Sequence, residues 1–165
     1  MPSFSTRRRV PYSPAQMFAL VADIERYPEF LPLCEGLMLR SRQDEGERTI
    51  LVATMTAGYQ AIREHFTTRV ELMPQHNKVR VEYIDGPFRR LENRWTFKPL
   101  TGGGCEVDFF IDYELKSFML GVLIGAVFDK AFRRFAEAFE TRARTIYGKP
   151  VVAEMVQPGA VPSGG

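Results

Sequence analysis

An α+β fold, in which a curved antiparallel sheet is covered by one long C-terminal helix, is what this chain predicts, and three observations predict it. From Leu37 to Lys116 the apolar residues recur at every second position. From Phe118 to Tyr147 they recur at helical spacing instead. An antiparallel sheet with its apolar side chains on one face needs a cover, and that last run is the element large enough to supply it.

The elements follow in order. Phe4 to Val10 reads as a first strand. Ser13 then caps a helix, with Pro14 at the first helical position and Gln16 completing a capping box. Tyr12 and Met17 are spaced for a hydrophobic staple around that cap. The helix carries Met17, Leu20, Val21 and Ile24 inward and gives way to a short kinked turn in which Pro28 and Pro32 bracket Phe30 and Leu31. Leu37 begins the alternating region, and Asp44 to Glu47 reads as a hairpin turn. Ile50 to Ala57 returns as a strand that Gly58 is expected to end. Strands around Phe66 and Val70, around Val79 and Val81, and around Leu91 and Trp95 follow. The cleanest alternation sets Cys105, Val107, Phe109, Ile111, Tyr113 and Leu115 against Glu106, Asp108, Asp112, Glu114 and Lys116. The glycines at 102 to 104 precede a strand and so form a turn, since a phosphate loop would lead into a helix.

The expected helix from Phe118 to Tyr147 would span roughly 45 Å. Its second half is amphipathic: Phe128, Phe132, Phe135 and Phe139 share one stripe, and Asp129 and Arg133 pair on the other side. Its first half, to Phe128, has no polar side chain on any face. Such a segment must be buried all round, cover an apolar cavity or touch lipid. Gly121 and Gly125 are read as sites of close helix packing. The chain is thus expected to form one domain over residues 1–148, with a disordered tail over 149–165 rich in Pro, Gly and Val.

Composition excludes several classes. With 165 residues, 45% hydrophobic and 25% charged, the chain is of globular type and long enough for a real core. A net charge of +2 gives no electrostatic case for DNA, and the run Arg7 to Arg9 is too short for a patch on its own. Two cysteines form no disulfide framework and no metal-ligand spacing. No signal peptide and no spanning segment are apparent, so the expectation is a cytoplasmic protein in peripheral contact with the inner face of a membrane. His65 and His76 read as solvent-facing, and neither has a nucleophile at a useful spacing.

The segment from Tyr12 to Cys34 (YSPAQMFALVADIERYPEFLPLC), with Gly86 to Leu91, Asn93 to Trp95 and Leu120 to Asp129, resembles the coenzyme Q-binding family of START-like, helix-grip domains, also called the polyketide cyclase/dehydrase and lipid-transport group. The resemblance spans roughly Phe4 to Gly148. It implies a long helix gripped by a curved sheet with a hydrophobic tunnel between them. In mitochondrial members the implied ligand is ubiquinone, in support of respiration, and a bacterial branch is described as a ribosome association toxin that acts on the large subunit. Where the family has an aromatic after the second proline of the Pro-x-Phe-Leu-Pro segment, this chain has Leu33, at the implied tunnel mouth.

The implied tunnel lining is drawn from Phe30, Leu33, Met55, Phe66, Trp95, Phe97, Phe109, Tyr113, Phe128, Phe132 and Phe135, each of which also suits an ordinary core position. Two polar residues join them. Glu64 shares a strand face with Ile62 and Phe66, and either forms a salt bridge near the sheet edge or meets a ligand head group. Asn93 lies between inward Leu91 and Trp95 with a donor and an acceptor to place. The leading expectation is a non-enzymatic carrier of ubiquinone or a similar polyisoprenoid, with no cofactor beyond that cargo. The alternative is a ribosome-binding translation inhibitor whose basic surface would draw on Arg7 to Arg9, Arg63, Arg69 and Arg80. A cyclase-type enzyme is disfavoured by the missing acid–base pair.

Overall fold

The computed structural model describes residues 3–149, so all but the first residue of the expected tail lies outside the described residues. The first strand, β1 (Ser3–Val10), leads through α1 (Pro14–Ala22) and a 3-10 turn (Ile24–Glu29) to β2 (Cys34–Glu45), β3 (Arg48–Tyr59), β4 (Ile62–Met73), β5 (Lys78–Asp85), β6 (Phe88–Pro99) and β7 (Cys105–Leu115). The chain then closes with α2 (Phe118–Arg133) and α3 (Phe135–Tyr147). The seven strands form one antiparallel sheet in the order β1-β7-β6-β5-β4-β3-β2, a meander whose last strand takes the first as its outer neighbour. Bulges in β2, between β4 and β5, and at the start of β6 bend these long strands. That bending is what lets the sheet curl around a helix.

Local chemistry starts the elements as expected. The Ser13 hydroxyl accepts from the Gln16 amide at 3.0 Å, and the Gln16 side chain accepts from the Ser13 amide at 2.9 Å. Tyr12 and Met17 on either side are both buried. Gly46, at φ 72°, turns the β2–β3 hairpin. Gly58 does not end β3, which runs on to Tyr59. Its lack of a side chain serves another purpose: a Cβ there would lie 2.3 Å from the Glu35 carboxylate, which Arg63 holds at 2.6 Å.

The C-terminal helix is two helices, not one. At Arg134 the backbone moves to φ −101°, ψ 0°, and its amide reaches back to the Ala131 and Phe132 carbonyls. No proline or glycine sits at this break, so its cause lies in packing. On the far side α3 is pinned: Tyr12 donates to the Gly148 carbonyl at 2.8 Å, Tyr147 to the Gln16 carbonyl at 3.0 Å, Arg142 pairs with Glu29 at 2.7 Å, and Arg8 pairs with Glu140. On the near side α2 follows β6 and β7, with Phe128 against Phe88 and Phe132 edge-on to Tyr113. A straight axis would not satisfy both sets of contacts.

The apolar half of α2 is not buried all round. Ile124, Phe128, Ala131 and Phe132 face the sheet, whereas Phe118 is 86% exposed and Met119, Val122 and Leu123 are 66%, 66% and 60% exposed. The close packing expected at Gly121 and Gly125 is also absent, because a Cβ at either position would have nothing within 4 Å. Both line an open groove between α2 and the end of β7.

Phe139 is 1% exposed and sits within 5.4 Å of the Tyr27, Phe30 and Trp95 ring centroids. Phe132 is also buried, but it borders two hollows between sheet and helices, where Phe139 borders one. We therefore expect Phe139→Ala to cost about 3–5 kcal/mol and Phe132→Ala distinctly less, since a side chain beside free space leaves fewer contacts to lose. Urea unfolding of the two variants measures the difference.

Candidate functional site: an apolar hollow between sheet and helices

Residues of equal parity on the central strands face the helices and leave a space of about 80 Å³ unfilled. Leu37, Ala53, Met55, Phe66, Thr68, Val70, Val81, Leu91, Asn93, Trp95 and Ile111 supply the sheet wall. Phe132, Phe135 and Phe139 supply the helical roof, and Ile24, Tyr27 and Leu31 close one end. A second hollow of about 20 Å³ lies beyond, against Pro32, Leu33, Ala57, Phe128 and Ala131. Met55, Phe66, Phe132 and Phe135 border both hollows, so four movable side chains separate them. Leu33, at the outer end, holds a left-handed φ of 67°, a conformation that costs energy in a branched residue.

The wall is almost wholly apolar, and most of its polar atoms are committed. The Trp95 indole donates to the Asn93 side-chain oxygen at 3.0 Å, and the Asn93 amide donates to the Phe110 carbonyl at 2.9 Å. The Tyr27 hydroxyl donates to the Val21 carbonyl, and burial pushes its phenol well above the usual tyrosine range. Both thiols are likewise driven up by burial, Cys34 to about 11 and Cys105 to about 12, which leaves neither as a thiolate at neutral pH. His65 and His76 are exposed, and His65 shares a hydrogen bond with Thr56 at 2.9 Å. Among the described residues there is no cluster of three or more His, Cys, Asp or Glu able to hold a metal.

The residues that the sequence nominated fall into three groups. Met55, Phe66, Asn93, Trp95, Phe132 and Phe135 line the main hollow, and Leu33 and Phe128 line the second. Phe97 and Phe109 are buried in contact with Trp95, and Tyr113 packs against Phe132, outside both linings. Phe30 packs on Phe139 and carries the Arg142 guanidinium 5.0 Å over its ring, beside an external groove. Glu64 is half-buried on the concave side without bordering the space. Thr68, Tyr27 and Phe139 were not nominated. Strand parity with Phe66 would have found Thr68, but its place in a Thr-Thr pair reads as polar surface.

The outer face of the same sheet carries a broad shallow basin lined by Arg7, Lys78, Arg80 and Arg94 among the acidic Glu71, Glu92 and Asp108. Register adds Arg9 and Lys98 at the same end, on either side of Glu106. Arg94 lies 4.3 Å over the Phe110 ring. Arg80 pairs with Glu82 at 2.9 Å, Arg94 with Glu92 at 3.5 Å and Lys98 with Asp108 at 3.1 Å, while of the other nominated cations Arg8 turns inward to Glu140, Arg63 pairs with Glu35 and Arg69 with Glu82.

Comparison with known proteins agrees with this geometry. Residues 10–140 match the family described as polyketide cyclase/dehydrase and lipid transport. The ribosome association toxin RatA of Escherichia coli K12 is 35% identical over 89% of this chain and 90% of its own length. The mitochondrial coenzyme Q-binding protein COQ10 homolog B of Xenopus laevis is 30% identical over 90% of this chain and 61% of its own length. A START superfamily protein from Mycobacterium smegmatis, 22% identical, superposes with a TM-score of 0.71 over 87% of this chain and 98% of its own. The chain belongs to the polyketide cyclase/dehydrase and lipid-transport family and has its START-like, helix-grip fold.

Proposed function

We propose that this protein is a non-enzymatic binding protein for ubiquinone or a similar polyisoprenoid lipid, held between sheet and helices and delivered in support of respiration. The observation that carries the reading is the pair of neighbouring apolar hollows with only Met55, Phe66, Phe132 and Phe135 between them. An isoprenoid chain offers only apolar surface, gains about 0.8 kcal/mol per buried CH₂ and asks for no charged partner. At about 80 Å³ the main hollow is well below the roughly 300–1,000 Å³ of a ligand-filled pocket. Loading therefore requires the roof to move outward.

The construction of the roof favours α2 as the moving part. Pinned near its middle to β1 through Glu140 and at its C-terminal end to α1 through Tyr147, α3 is the fixed half, whereas α2 has an open groove beneath its glycines and ends at the break at Arg134. No described helix is long and apolar enough to cross a membrane. Exchange with a bilayer would fall to the exposed Phe118, Met119, Val122 and Leu123, next to Lys116, at the inner face of the membrane.

Organic extraction of the purified protein and mass spectrometry of the extract test the cargo directly. Met55→Trp should fill the space between the hollows and lower quinone uptake tenfold or more, roughly 1.4 kcal/mol, with little change in melting temperature. A lipid-free extract, together with no quenching of Trp95 by added quinone, would remove the basis of the proposal.

For the membrane contact, the double variant Phe118→Asp, Leu123→Asp should lose binding to anionic liposomes while keeping wild-type stability to within about 0.5 kcal/mol per site, because both side chains are already in water. Sedimentation with liposomes and thermal melting read the two effects separately.

One observation favours a second reading, that of a ribosome-binding translation inhibitor. The outer-face cations gather at one end of the sheet around a stacked Arg94–Phe110 pair, an arrangement suited to phosphates and unpaired bases. Were this the function, Arg80→Glu, Arg94→Glu would abolish co-sedimentation with large ribosomal subunits, and wild-type binding would fall steeply between about 50 and 200 mM salt.

A further inference from the structure

Thr67 and Thr68 sit side by side on β4, at a bulge where the pairing with β5 jumps from Asp85 to Tyr83. Their hydroxyls meet different fates. Thr67 turns to the outer face and shares a hydrogen bond with the Thr54 hydroxyl at 2.8 Å. Thr68 turns inward, is only 9% exposed and lines the main hollow. Among the described residues nothing hydrogen-bonds its hydroxyl.

Its neighbours on the wall make this unusual. Trp95 and Tyr27 have their donors engaged, and Asn93 has its oxygen and one amide hydrogen engaged. Across the neighbouring strands Thr68 stands opposite Ala53, which offers no partner, and Tyr83, whose hydroxyl accepts from the Phe88 amide. A hydroxyl in such a setting adds no hydrogen bond within the protein, and valine would match its shape and suit the strand. A hydroxyl with no protein partner that opens into an otherwise apolar cavity has the geometry of a contact that a ligand completes.

We propose that Thr68 is the polar anchor of the cavity, giving its hydroxyl hydrogen to a ketone oxygen, or accepting from a hydroxyl, at the oxygenated end of an otherwise apolar ligand. The free amide hydrogen of Asn93 on β6 is a second donor for the same end. The anchor rests on the reading of the hollow as a lipid site and adds a direction to it: head group inward at Thr68, tail outward past Met55 and Phe132 toward Leu33. It also narrows the ligand class to lipids with a carbonyl or hydroxyl group, since a pure hydrocarbon would leave Thr68 unsatisfied.

The test compares decylubiquinone with decylbenzene, which keeps the chain and lacks the oxygens, using calorimetry on delipidated protein. Thr68→Val should weaken decylubiquinone about five- to tenfold, the size of one net hydrogen bond, and leave decylbenzene within about twofold. Thr68→Ser should keep decylubiquinone close to wild type. Empty Thr68→Val should melt at or above the wild-type temperature, which a hydroxyl with a structural partner would not allow. Equal loss of both ligands, or no loss of either, overturns the anchor and leaves the lipid reading standing. If the wild-type protein binds neither, the lipid reading fails and the anchor with it.

Discussion

The contact on which this fold most depends is the enclosure of Phe139. Its ring is edge-on to Tyr27 at 5.4 Å, to Phe30 at 5.0 Å and to Trp95 at 5.0 Å, so one side chain joins α3, the 3-10 turn and the centre of the sheet. Each such pair contributes about 0.5–1.5 kcal/mol beyond the area it buries. Once Phe139 is seated, α3 has one position, and the hydrogen bonds of Tyr12 and Tyr147 to the backbone hold its end there. The hollow follows from the same rings. They are large and rigid, and they stop short of filling the curve of the sheet between Leu37 and Ile111.

Fixing α3 leaves α2 to span what remains. It meets the sheet through Ile124, Phe128, Ala131 and Phe132 and leaves the opposite side of its apolar turn uncovered. A helix with exposed Phe118, Met119, Val122 and Leu123 gives up the burial that would otherwise hold it in place. The break at Arg134 falls between Phe132 and Phe135, two residues of the cavity roof. Rotation there would lift one roof residue while the other stays with α3, so the rigid and the movable parts of the cavity meet at a defined point.

Much of the fold was legible in the sequence because its signals are local. Alternation fixed which side chains face the helices, and the Ser13–Gln16 capping box set the start of α1. The helix break was not legible, because Arg134 is a good helix former and the turn there answers contacts made by residues as distant as Arg8 and Tyr12. Gly121 and Gly125 misled for a similar reason: their spacing is compatible with close packing, but only the third dimension shows an open groove beside them. At the site, parity identified a face without identifying depth. Trp95, Phe97 and Phe109 all point inward, yet only Trp95 reaches the hollow. Thr68 was missed because its value comes from what its neighbours lack, which no local pattern records.

The two functional readings use opposite sides of one sheet, and this makes them separable. Along β6, Asn93 and Trp95 turn to the hollow while Arg94 turns to the outer basin; along β7, Ile111 and Phe110 divide in the same way. Substitutions on one side change neither the shape nor the charge presented on the other, since successive strand residues share only backbone. A hydrogen bond links the two sides: Asn93, from the inner side, donates to the carbonyl of Phe110, whose ring carries Arg94 on the outer side. That link, the Trp95 ring that borders both spaces and the curvature of the sheet are routes by which cargo would influence the outer face. An outer-face activity that ignores the contents of the hollow would mean that the chain carries two independent surfaces on one scaffold.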